Sequence, residues 1–431
     1  MALLAVIAFA AGTRAFDLGA PCSSPCAHNS DHSLIFDESY YVNAARVIAG
    51  IHPPATAPYH DAPLGKDPNA EHPQLAKLVM AGGIEVFGDG PWGWRLGSLV
   101  FGLIAVAAMY ALVRAAGGSS WLAAGASAVM ALDNLMLVHG RIATLDVYAL
   151  APMLVACALY LRRRLLLAGL ALALAASMKL VALYLLPVLL LIELIRFAIE
   201  RPPRGRRVRP LAGRIRPFVV TAGAGIVALL LLLWLLDVAM PAYDPGSRTV
   251  YGGSPFPHVG HMLSYAAKLK SVPHATGISS SPWQWLLDQK PINYSRVAVN
   301  SLAGGKIVAS HAIVSFRGEV NQFVIMARAG SGGDRRRRLV RRHVRPVRGR
   351  GRRLRPDLLP LLRADRAARG LSADDPAVRA PRDAGGRDDR LGGCARLQLR
   401  GSVPDPRLTS PPVRRPLNNH FSWSLDRVSN P

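Results

Sequence analysis

The stretch 165–195, LLLAGLALALAASMKLVALYLLPVLLLIELI, decides the fold. It is apolar over about 31 residues and is interrupted near its middle by Lys179. An upright membrane helix needs about 20 apolar residues, so this stretch is too long for a single crossing. We therefore expect a tight hairpin of two short membrane helices that turns at Lys179.

Arginine clusters on both sides of this stretch set its direction. Arg162, Arg163 and Arg164 precede it, and seven arginines follow between positions 201 and 216. Because loops rich in Lys and Arg stay in the cytoplasm, both clusters belong to the same side of the membrane. An even number of crossings must separate them, which favours the hairpin.

Other apolar stretches that approach the length of a membrane span occur at 95–113, 120–138, 146–161 and 217–240. With the arginine clusters inside, the loops outside the cytoplasm are 17–94, 139–146 and 241–310. The stretch Ala2–Ala11 is too short to span, and we interpret it as the outer half of a first span that starts upstream. At 51% hydrophobic and 18% charged residues, we predict an all-α polytopic membrane protein with about seven crossings in residues 1–327.

The segment 328–431 has a different composition. It contains 26 Arg but no Lys, and 10 Asp but no Glu, and no apolar stretch long enough to span a membrane. An Arg-rich arm could bind nucleic acid or anionic lipid. No aromatic or periodic pattern accompanies the charge, so we favour a disordered tail of the kind that a frameshift in a GC-rich gene produces.

Two of the four cysteines, Cys22 and Cys26, lie close together in the first outer loop. A disulfide persists outside the cytoplasm. His28 and His32 follow in the pattern C-x3-C-x-H-x3-H, which could also hold a metal ion. The sequence shows nothing that would fix such ligands, so we favour a disulfide or free thiols.

Asp37 and Glu38 begin the segment 37–49, DESYYVNAARVIA, which we predict to be an amphipathic helix in the outer loop. Adjacent carboxylates repel each other. The repulsion raises the pKa of one of them and suits a general base that takes a proton from an alcohol. The alternative is structural, because acidic residues in a first helical turn interact favourably with the helix dipole.

Basic groups follow at three further places on the same predicted face. His72 and Lys77 end the first outer loop and could meet a phosphate, or Lys77 could lie at the headgroup level. The planar guanidinium of Arg141 suits binding of a phosphate. Asp146 follows five residues later, and the alternative is that Arg141 and Asp146 form an ion pair at the membrane interface. Lys179 inside an apolar stretch indicates a functional site, with snorkelling as the alternative.

Two tryptophans, Trp283 and Trp285, lie in the segment SPWQWLLDQKPINY at 281–294. Together with Tyr294 of the same segment, they suit an interfacial aromatic belt, and they also suit stacking on a sugar or cradling a lipid. All these polar motifs fall on one membrane face under a topology that the arginine positions alone define.

The ordered segments FDESYYVNAA, EHPQLAKL, GRIATLD, MKLVALYLLP and SPWQWLLDQKPINY resemble the protein O-mannosyltransferase family, glycosyltransferase family 39. The resemblance covers about residues 30–327. It implies a GT-C-like transmembrane helix bundle that transfers mannose from polyprenyl-phosphate-mannose to Ser or Thr hydroxyls of exported proteins, with inversion. The sequence departs from the family's pattern at Gln74 and Ala76, where Pro and Gly are expected.

The resemblance implies that Asp37 and Glu38 form the catalytic pair, with Asp37 as the base. We further predict that the residues that bind the donor phosphate are Arg141, Lys77, Lys179 and His72. The predicted supporting residues are Asp146, Trp283 and Trp285. No cofactor is specified by these residues, and a divalent cation stays an open option. The expected partners are the polyprenyl-phosphate-linked sugar donor, an exported protein acceptor and the lipid bilayer, with no nucleic acid.

Two alternatives stay open from the sequence. The same fold could act on a lipid or glycan acceptor, because the acceptor is not readable from these residues. A transporter would also carry charges at membrane depth, but no inverted repeat is visible and the polar motifs gather on one side. We expect a multi-pass protein of the plasma membrane with its active site on the extracytoplasmic face.

Overall fold

The computed structural model describes residues 1–22, 26–199, 211–269, 281–287, 289–303, 306–319 and 321. The described residues all belong to one compact unit, Met1–Arg345. The predictions for the tail 328–431 lie outside the described residues.

Three helices of the described part are long and apolar enough to cross a membrane, at Pro91–Ala115, Leu180–Ile199 and Ile215–Ala239. Shorter apolar helices lie at Ala2–Ala15, Ser120–Leu132, Leu145–Leu161 and Leu165–Met178. The prediction of a mostly helical membrane protein is confirmed.

The helices follow one another in this order: α1 Ala2–Ala15, α2 Glu38–Ile48, α3 Leu75–Phe87, α4 Pro91–Ala115, α5 Ser120–Leu132, α6 Asn134–His139, α7 Leu145–Leu161, α8 Leu165–Met178, α9 Leu185–Ile199, α10 Leu211–Ala239, α11 Pro255–Lys268 and α12 Pro282–Leu286. Short 3₁₀ helices lie at Asn29–Asp31 and Leu180–Tyr184. The predicted helix 37–49 is confirmed by α2.

The long apolar stretch breaks where predicted, at Lys179. This residue ends α8 in an extended conformation, with φ −157° and ψ 125°. Ala168 and Leu172 of α8 pack in one apolar cluster with Leu185 and Leu189 of α9. The same cluster contains Ala156 and Tyr160 of α7, so both halves of the stretch are held against α7.

The predicted span 120–138 is not one continuous helix. The chain leaves α5 at Leu132 and begins α6 at Asn134. Asp133 lies between them, and its side chain accepts a hydrogen bond from the backbone N–H of Met136 at 2.9 Å. An aspartate that caps a new helix start explains the break, because it satisfies a backbone donor that the first turn leaves without a partner.

The mostly helical fold also contains β-strands. Two antiparallel hairpins are present: β1 Ala242–Asp244 with β2 Thr249–Tyr251, and β3 Ile292–Ala303 with β4 Lys306–Gly318. The second hairpin contributes Tyr294 and Phe316 to an apolar cluster with Ile35, Val138 and Ile142. Its base therefore packs beside the loop that leads into α2.

The largest apolar cluster holds α2 in place. Tyr41, Val42, Ala45 and Ile48 of α2 pack with residues of α3, α4 and α7, which include Met80, Ile84, Trp94, Leu145 and Tyr148. Because one face of α2 is buried in this way, the residues at its N-terminus have a defined position.

Candidate active site

Asp37 lies at the entrance to α2. The preceding Phe36 has φ 53°, a left-handed conformation that is uncommon outside glycine and recurs at functional sites. The backbone carbonyl of Asp37 accepts hydrogen bonds from the N–H groups of Tyr40 and Tyr41 at 3.0 and 3.1 Å. Its carboxylate does not cap the helix. Within the described residues, this carboxylate makes no hydrogen bond.

Burial raises the pKa of the Asp37 carboxyl above its ordinary value. The charge of Lys179 acts in the opposite direction, and the charge of Asp146 adds to the increase. Desolvation favours the neutral acid, whereas a nearby cation favours the carboxylate. Asp37 is therefore a carboxyl group that binds a proton more readily than an exposed aspartate.

Lys179 and Asp146 form an ion pair beside Asp37. Lys179 Nζ lies 2.7 Å from Asp146 Oδ1. Asp146 is in the first turn of α7, where the helix dipole favours a negative charge. The pair is partly accessible, because 21% of the Lys179 side chain and 43% of the Asp146 side chain are exposed.

His139 links this pair to the β3–β4 hairpin. Its Nε2 lies 2.7 Å from the hydroxyl of Tyr294, and its Nδ1 lies 3.0 Å from Thr144 Oγ1. Nδ1 is also 3.9 Å from Asp146 Oδ2. The Tyr294 ring packs edge-on against Phe36, with 4.9 Å between ring centroids. We call Asp37, Asp146, Lys179, His139 and Tyr294 the Asp37 site.

Glu38 has different surroundings although it is the next residue. Its side chain is fully buried and pairs with Arg95, with Nε–Oε1 at 2.8 Å and Nη2–Oε2 at 2.7 Å. The backbone N–H groups of Ile35 and Ala143 donate to the two oxygens at 2.9 and 2.7 Å. Every oxygen of Glu38 is therefore occupied by a donor.

Arg95 also fastens the N-terminal loop. It donates to the carbonyls of Leu18, Ala20 and Ser33 at 2.7, 2.6 and 3.2 Å. We call Glu38, Arg95 and these three carbonyls the Glu38–Arg95 cluster. Its five donor–acceptor pairs at Arg95 satisfy a buried charge that would otherwise be costly.

Lys77 and His72 lie in a second buried network. Lys77 Nζ is 2.6 Å from Asp67 Oδ2, and it donates to the carbonyls of Asn69 and His72 at 2.6 and 3.0 Å. Its side chain has no exposed surface. Burial lowers the pKa of His72 to about 3, with Lys77 and Lys179 as further causes. His72 is consequently neutral at physiological pH.

Arg141 lies closer to the N-terminal loop than to Asp37. Its Nη2 donates to the carbonyls of Phe16 and Asp17 at 2.7 and 2.8 Å, and its guanidinium lies 5.7 Å from the ring centroid of Phe316. Burial lowers its pKa, and the charged groups that act on it are Asp17 and Arg95. Arg95 is the ion-pair partner of Glu38, whereas the charges that shift the pKa of Asp37 are those of Lys179 and Asp146.

The two tryptophans lie on α12. The Trp283 side chain is 73% exposed, and the side chain of Trp285 lies outside the described residues. From the same sequence segment, Tyr294 enters the site instead.

Sequence reasoning missed Arg95, His139 and Tyr294 as members of these networks. Arg95 opens an apolar stretch, and a charge in that position is itself a signal. His139 is two residues before Arg141, and Tyr294 is the last residue of the aromatic segment that contains Trp283 and Trp285. As for metals, the described residues bring three candidate ligands together at Cys22, Cys26 and His32, and not around Asp37.

Residues 85–240 match the family described as dolichyl-phosphate-mannose-protein mannosyltransferase. Over this region the chain is similar to members of that family. The matched region contains Arg95, His139, Arg141, Asp146 and Lys179, whereas Asp37 and Glu38 precede it.

A curated relative is the polyprenol-phosphate-mannose–protein mannosyltransferase of Corynebacterium glutamicum, which is 33% identical over 116 residues. The match covers 26% of this chain and 22% of the relative, so the chain spans about a fifth of that protein.

Two solved structures are similar at lower sequence identity. The protein O-mannosyltransferase Pmt1-Pmt2 complex of S. cerevisiae, bound to the sugar donor, is 19% identical with a TM-score of 0.44, over 56% of this chain and 34% of that one. ArnT from Cupriavidus metallidurans, bound to undecaprenyl phosphate, is 20% identical with a TM-score of 0.36, over 55% and 40%.

Proposed function

We propose that this protein transfers a mannosyl group from a polyprenyl-phosphate-linked donor to a Ser or Thr hydroxyl of an exported protein. The proposal rests on the family match over residues 85–240 and on the name of the corynebacterial relative. The observation that connects the proposal to particular atoms is the Asp37 carboxylate, which makes no hydrogen bond to the described residues and lies beside the Lys179–Asp146 pair.

In this proposal Asp37 is the general base. The acceptor hydroxyl oxygen attacks the anomeric carbon, its proton passes to the Asp37 carboxylate, and the bond from that carbon to the phosphate oxygen breaks. One displacement inverts the configuration of the sugar. A base with a raised pKa retains the proton it takes, and base catalysis of this kind contributes about 10²–10⁴-fold in rate.

Lys179 is our candidate for the donor phosphate. An ammonium group has three N–H donors, and Lys179 uses one of them on Asp146. By contrast, the Lys77 ammonium is enclosed by Asp67, Asn69 and His72, and the imidazole of His72 is neutral. We therefore assign Lys77, His72 and Arg141 to the framework of the site.

Glu38 and Asp146 act through other residues in this scheme. Glu38 positions the start of α2 through Arg95, and Asp146 orients Lys179 and lies near His139. Trp283 and Trp285, both on α12, remain candidates for contact with the lipid or the sugar, and Trp283 is exposed.

The sidedness of the site is also part of the proposal. At the far end of α7 and α9, Glu193 pairs with Arg163 and Arg196 at 3.2 and 2.7 Å. Asp146 and Tyr160 are separated by about 20 Å along α7, at 1.5 Å per residue. If the arginine end is cytoplasmic, the Asp37 site is extracytoplasmic and the protein is a multi-pass protein of the plasma membrane.

The test is to incubate the full chain in lipid nanodiscs with radiolabelled polyprenyl-phosphate-mannose, an exported protein substrate and a lipid extract. We expect label on Ser or Thr of the protein, with inverted anomeric configuration, and labelling that is slower by about 10²–10⁴-fold after Asp37→Asn. Asp61→Asn is the matched control, because the Asp61 side chain is fully exposed in the same outer loop. Label on lipid alone would refute the protein acceptor, and undiminished transfer by Asp37→Asn would refute the base.

A further inference from the structure

The loop between α1 and α2 brings three metal-ligating side chains together outside the Asp37 site. Cys22 and Cys26 form a disulfide, and the sulfur of each lies 3.9 Å from His32 Nε2. The three ligand atoms are all within 4.8 Å of one another. Cys26 is exposed, and Cys22 and His32 are half-buried, so solvent reaches the group.

The hydrogen bond of His32 orients it as a ligand. Its Nδ1 lies 2.7 Å from the carbonyl oxygen of Gly19. A carbonyl only accepts, so Nδ1 carries the proton and Nε2 of the neutral ring presents a lone pair. That lone pair faces two disulfide sulfurs, which have no hydrogen to donate. A backbone carbonyl on the opposite nitrogen is the usual outer partner of a metal-bound histidine.

Gly19 permits this orientation. A Cβ at this position would lie 2.7 Å from Cε1 and 3.1 Å from Nδ1 of the His32 ring. Only glycine allows the imidazole to approach the carbonyl this closely without a shift of the ring.

The backbone holds two of the three ligands, Cys22 and His32, together independently of the disulfide. Cys22 and His32 are paired in an antiparallel bridge, and the N–H of Ser33 donates to the carbonyl of Pro21 at 3.0 Å. The carbonyls of Ala20 and Ser33, on either side of the ligands, are both bonded to Arg95. Opening the disulfide removes none of these bonds.

We propose that, once the disulfide is reduced, Cys22, Cys26 and His32 bind one Zn²⁺ ion. A two-electron reductant, such as a dithiol, takes the disulfide to two thiols and is itself oxidised. The metal then displaces the two thiol protons. Tetrahedral Zn²⁺, with Zn–S of about 2.3 Å and Zn–N of about 2.1 Å, implies S···N separations of about 3.6 Å, close to the separations present here. The fourth position is open to water.

The experiment uses the full chain in nanodiscs, reduced with a phosphine and titrated with Co²⁺ as a spectroscopic substitute for Zn²⁺. We expect a thiolate-to-cobalt charge-transfer band that saturates at one equivalent, is absent before reduction and disappears when Zn²⁺ is added. Cys22→Ser and His32→Ala should abolish the band, and Gly19→Ala should weaken Co²⁺ affinity by about 10–100-fold, as expected for an outer partner.

Two matched variants serve as controls. Cys157→Ser removes a cysteine of α7, and His28→Ala removes the other histidine of the C-x3-C-x-H-x3-H pattern. Both should retain the band. The proposal is overturned if the reduced protein gives no band, if the band survives Cys22→Ser, or if His28→Ala abolishes it while His32→Ala does not. Each readout is independent of transferase activity.

Discussion

Asp37 and Glu38 are consecutive carboxylates, yet the Asp37 site and the Glu38–Arg95 cluster have opposite designs. Glu38 is fully buried and each of its oxygens is bonded to Arg95 and to a backbone N–H. Asp37 has no such partner in the described residues, and it lies near a partly accessible ion pair. Satisfied charges hold a structure in place, whereas an unsatisfied one can accept a proton from a substrate.

The two lysines repeat this contrast. Lys77 has no exposed surface and is enclosed by oxygen atoms of Asp67, Asn69 and His72. Lys179 has one hydrogen-bonded oxygen partner in the described part of the chain, on Asp146, and remains accessible. In the proposed function, each pair contains one residue that stabilises the fold and one that takes part in the chemistry, and mutation can separate the two roles.

The largest effect should come from Asp37→Asn. The amide cannot take the proton, so we expect the transfer rate to fall by about 10²–10⁴-fold without a decrease in the thermal midpoint. Single-turnover transfer from radiolabelled donor measures the rate. Glu38→Gln is the companion variant, for which we expect lower stability in addition to any loss of rate. Equal thermal midpoints for Asp37→Asn and Glu38→Gln would contradict the difference that we infer between the two carboxylates.

Arg95→Met should destabilise the protein by about 3–5 kcal/mol, because it leaves the Glu38 carboxylate buried without its cation. The free energy of unfolding in nanodiscs measures this. Arg114→Met, an exposed arginine at the other end of α4, should change it by less than about 0.5 kcal/mol. The double variant Glu38→Leu with Arg95→Met should recover most of the loss, and full additivity would argue against the pair.

Lys179→Met should weaken binding of polyprenyl phosphate by about 10–150-fold, the equivalent of a charged hydrogen bond worth about 1.5–3 kcal/mol. Lys77→Met should instead lower the thermal midpoint, because Asp67 loses its buried partner. Dissociation constants and thermal midpoints measured on the same nanodisc samples separate the two effects. A loss of binding confined to Lys77→Met would reverse our assignment.

The pH dependence of transfer should show the raised pKa of Asp37. The base is active when deprotonated, so the rate rises with pH through a pKa above that of an ordinary aspartate. Lys179→Met removes a cation that lowers this pKa and should move the acid limb to higher pH. Asp146→Asn should move it to lower pH, because the carboxylate that raises this pKa is lost. Shifts in one common direction would contradict the electrostatics.

The same pKa sets a smaller effect on stability. A carboxyl whose pKa is higher in the folded state binds more protons there, so stability falls as pH rises from the unfolded to the folded pKa. Asp37→Asn should remove this decrease. Thermal midpoints of wild type and variant across that acidic window provide the measurement, and parallel curves would show that Asp37 is not desolvated.

The smallest effect should come from Trp283→Ala. Its side chain is 73% exposed, and surface substitutions of this kind change stability by less than about 0.5 kcal/mol. A larger loss of stability would show that the tryptophan packs in the protein and is not available to a lipid or a sugar.

Much of the helical framework was predictable from local patterns. The apolar lengths of α4, α7 and α10 and the break at Lys179 are each visible within 20–30 residues of sequence. The interruption at Asp133 was not, because capping competes with apolar length and a single residue decides between them. The β3–β4 hairpin also escaped, since membrane-span reasoning looks for helical lengths.

The candidate site also has a part that local sequence predicts and a part that it does not. Sequence alone selected Asp37, Asp146 and Lys179 as ionic groups in or beside apolar stretches, where charge is costly and therefore informative. Only the tertiary structure decided that Arg95, 57 residues away, pairs with Glu38, whereas Asp37 has no ion-pair partner among the described residues. It also decided that Tyr294 reaches His139 across 155 residues. Hydropathy and charge are properties of a local segment, whereas the partner of a buried charge depends on which distant segments pack around it.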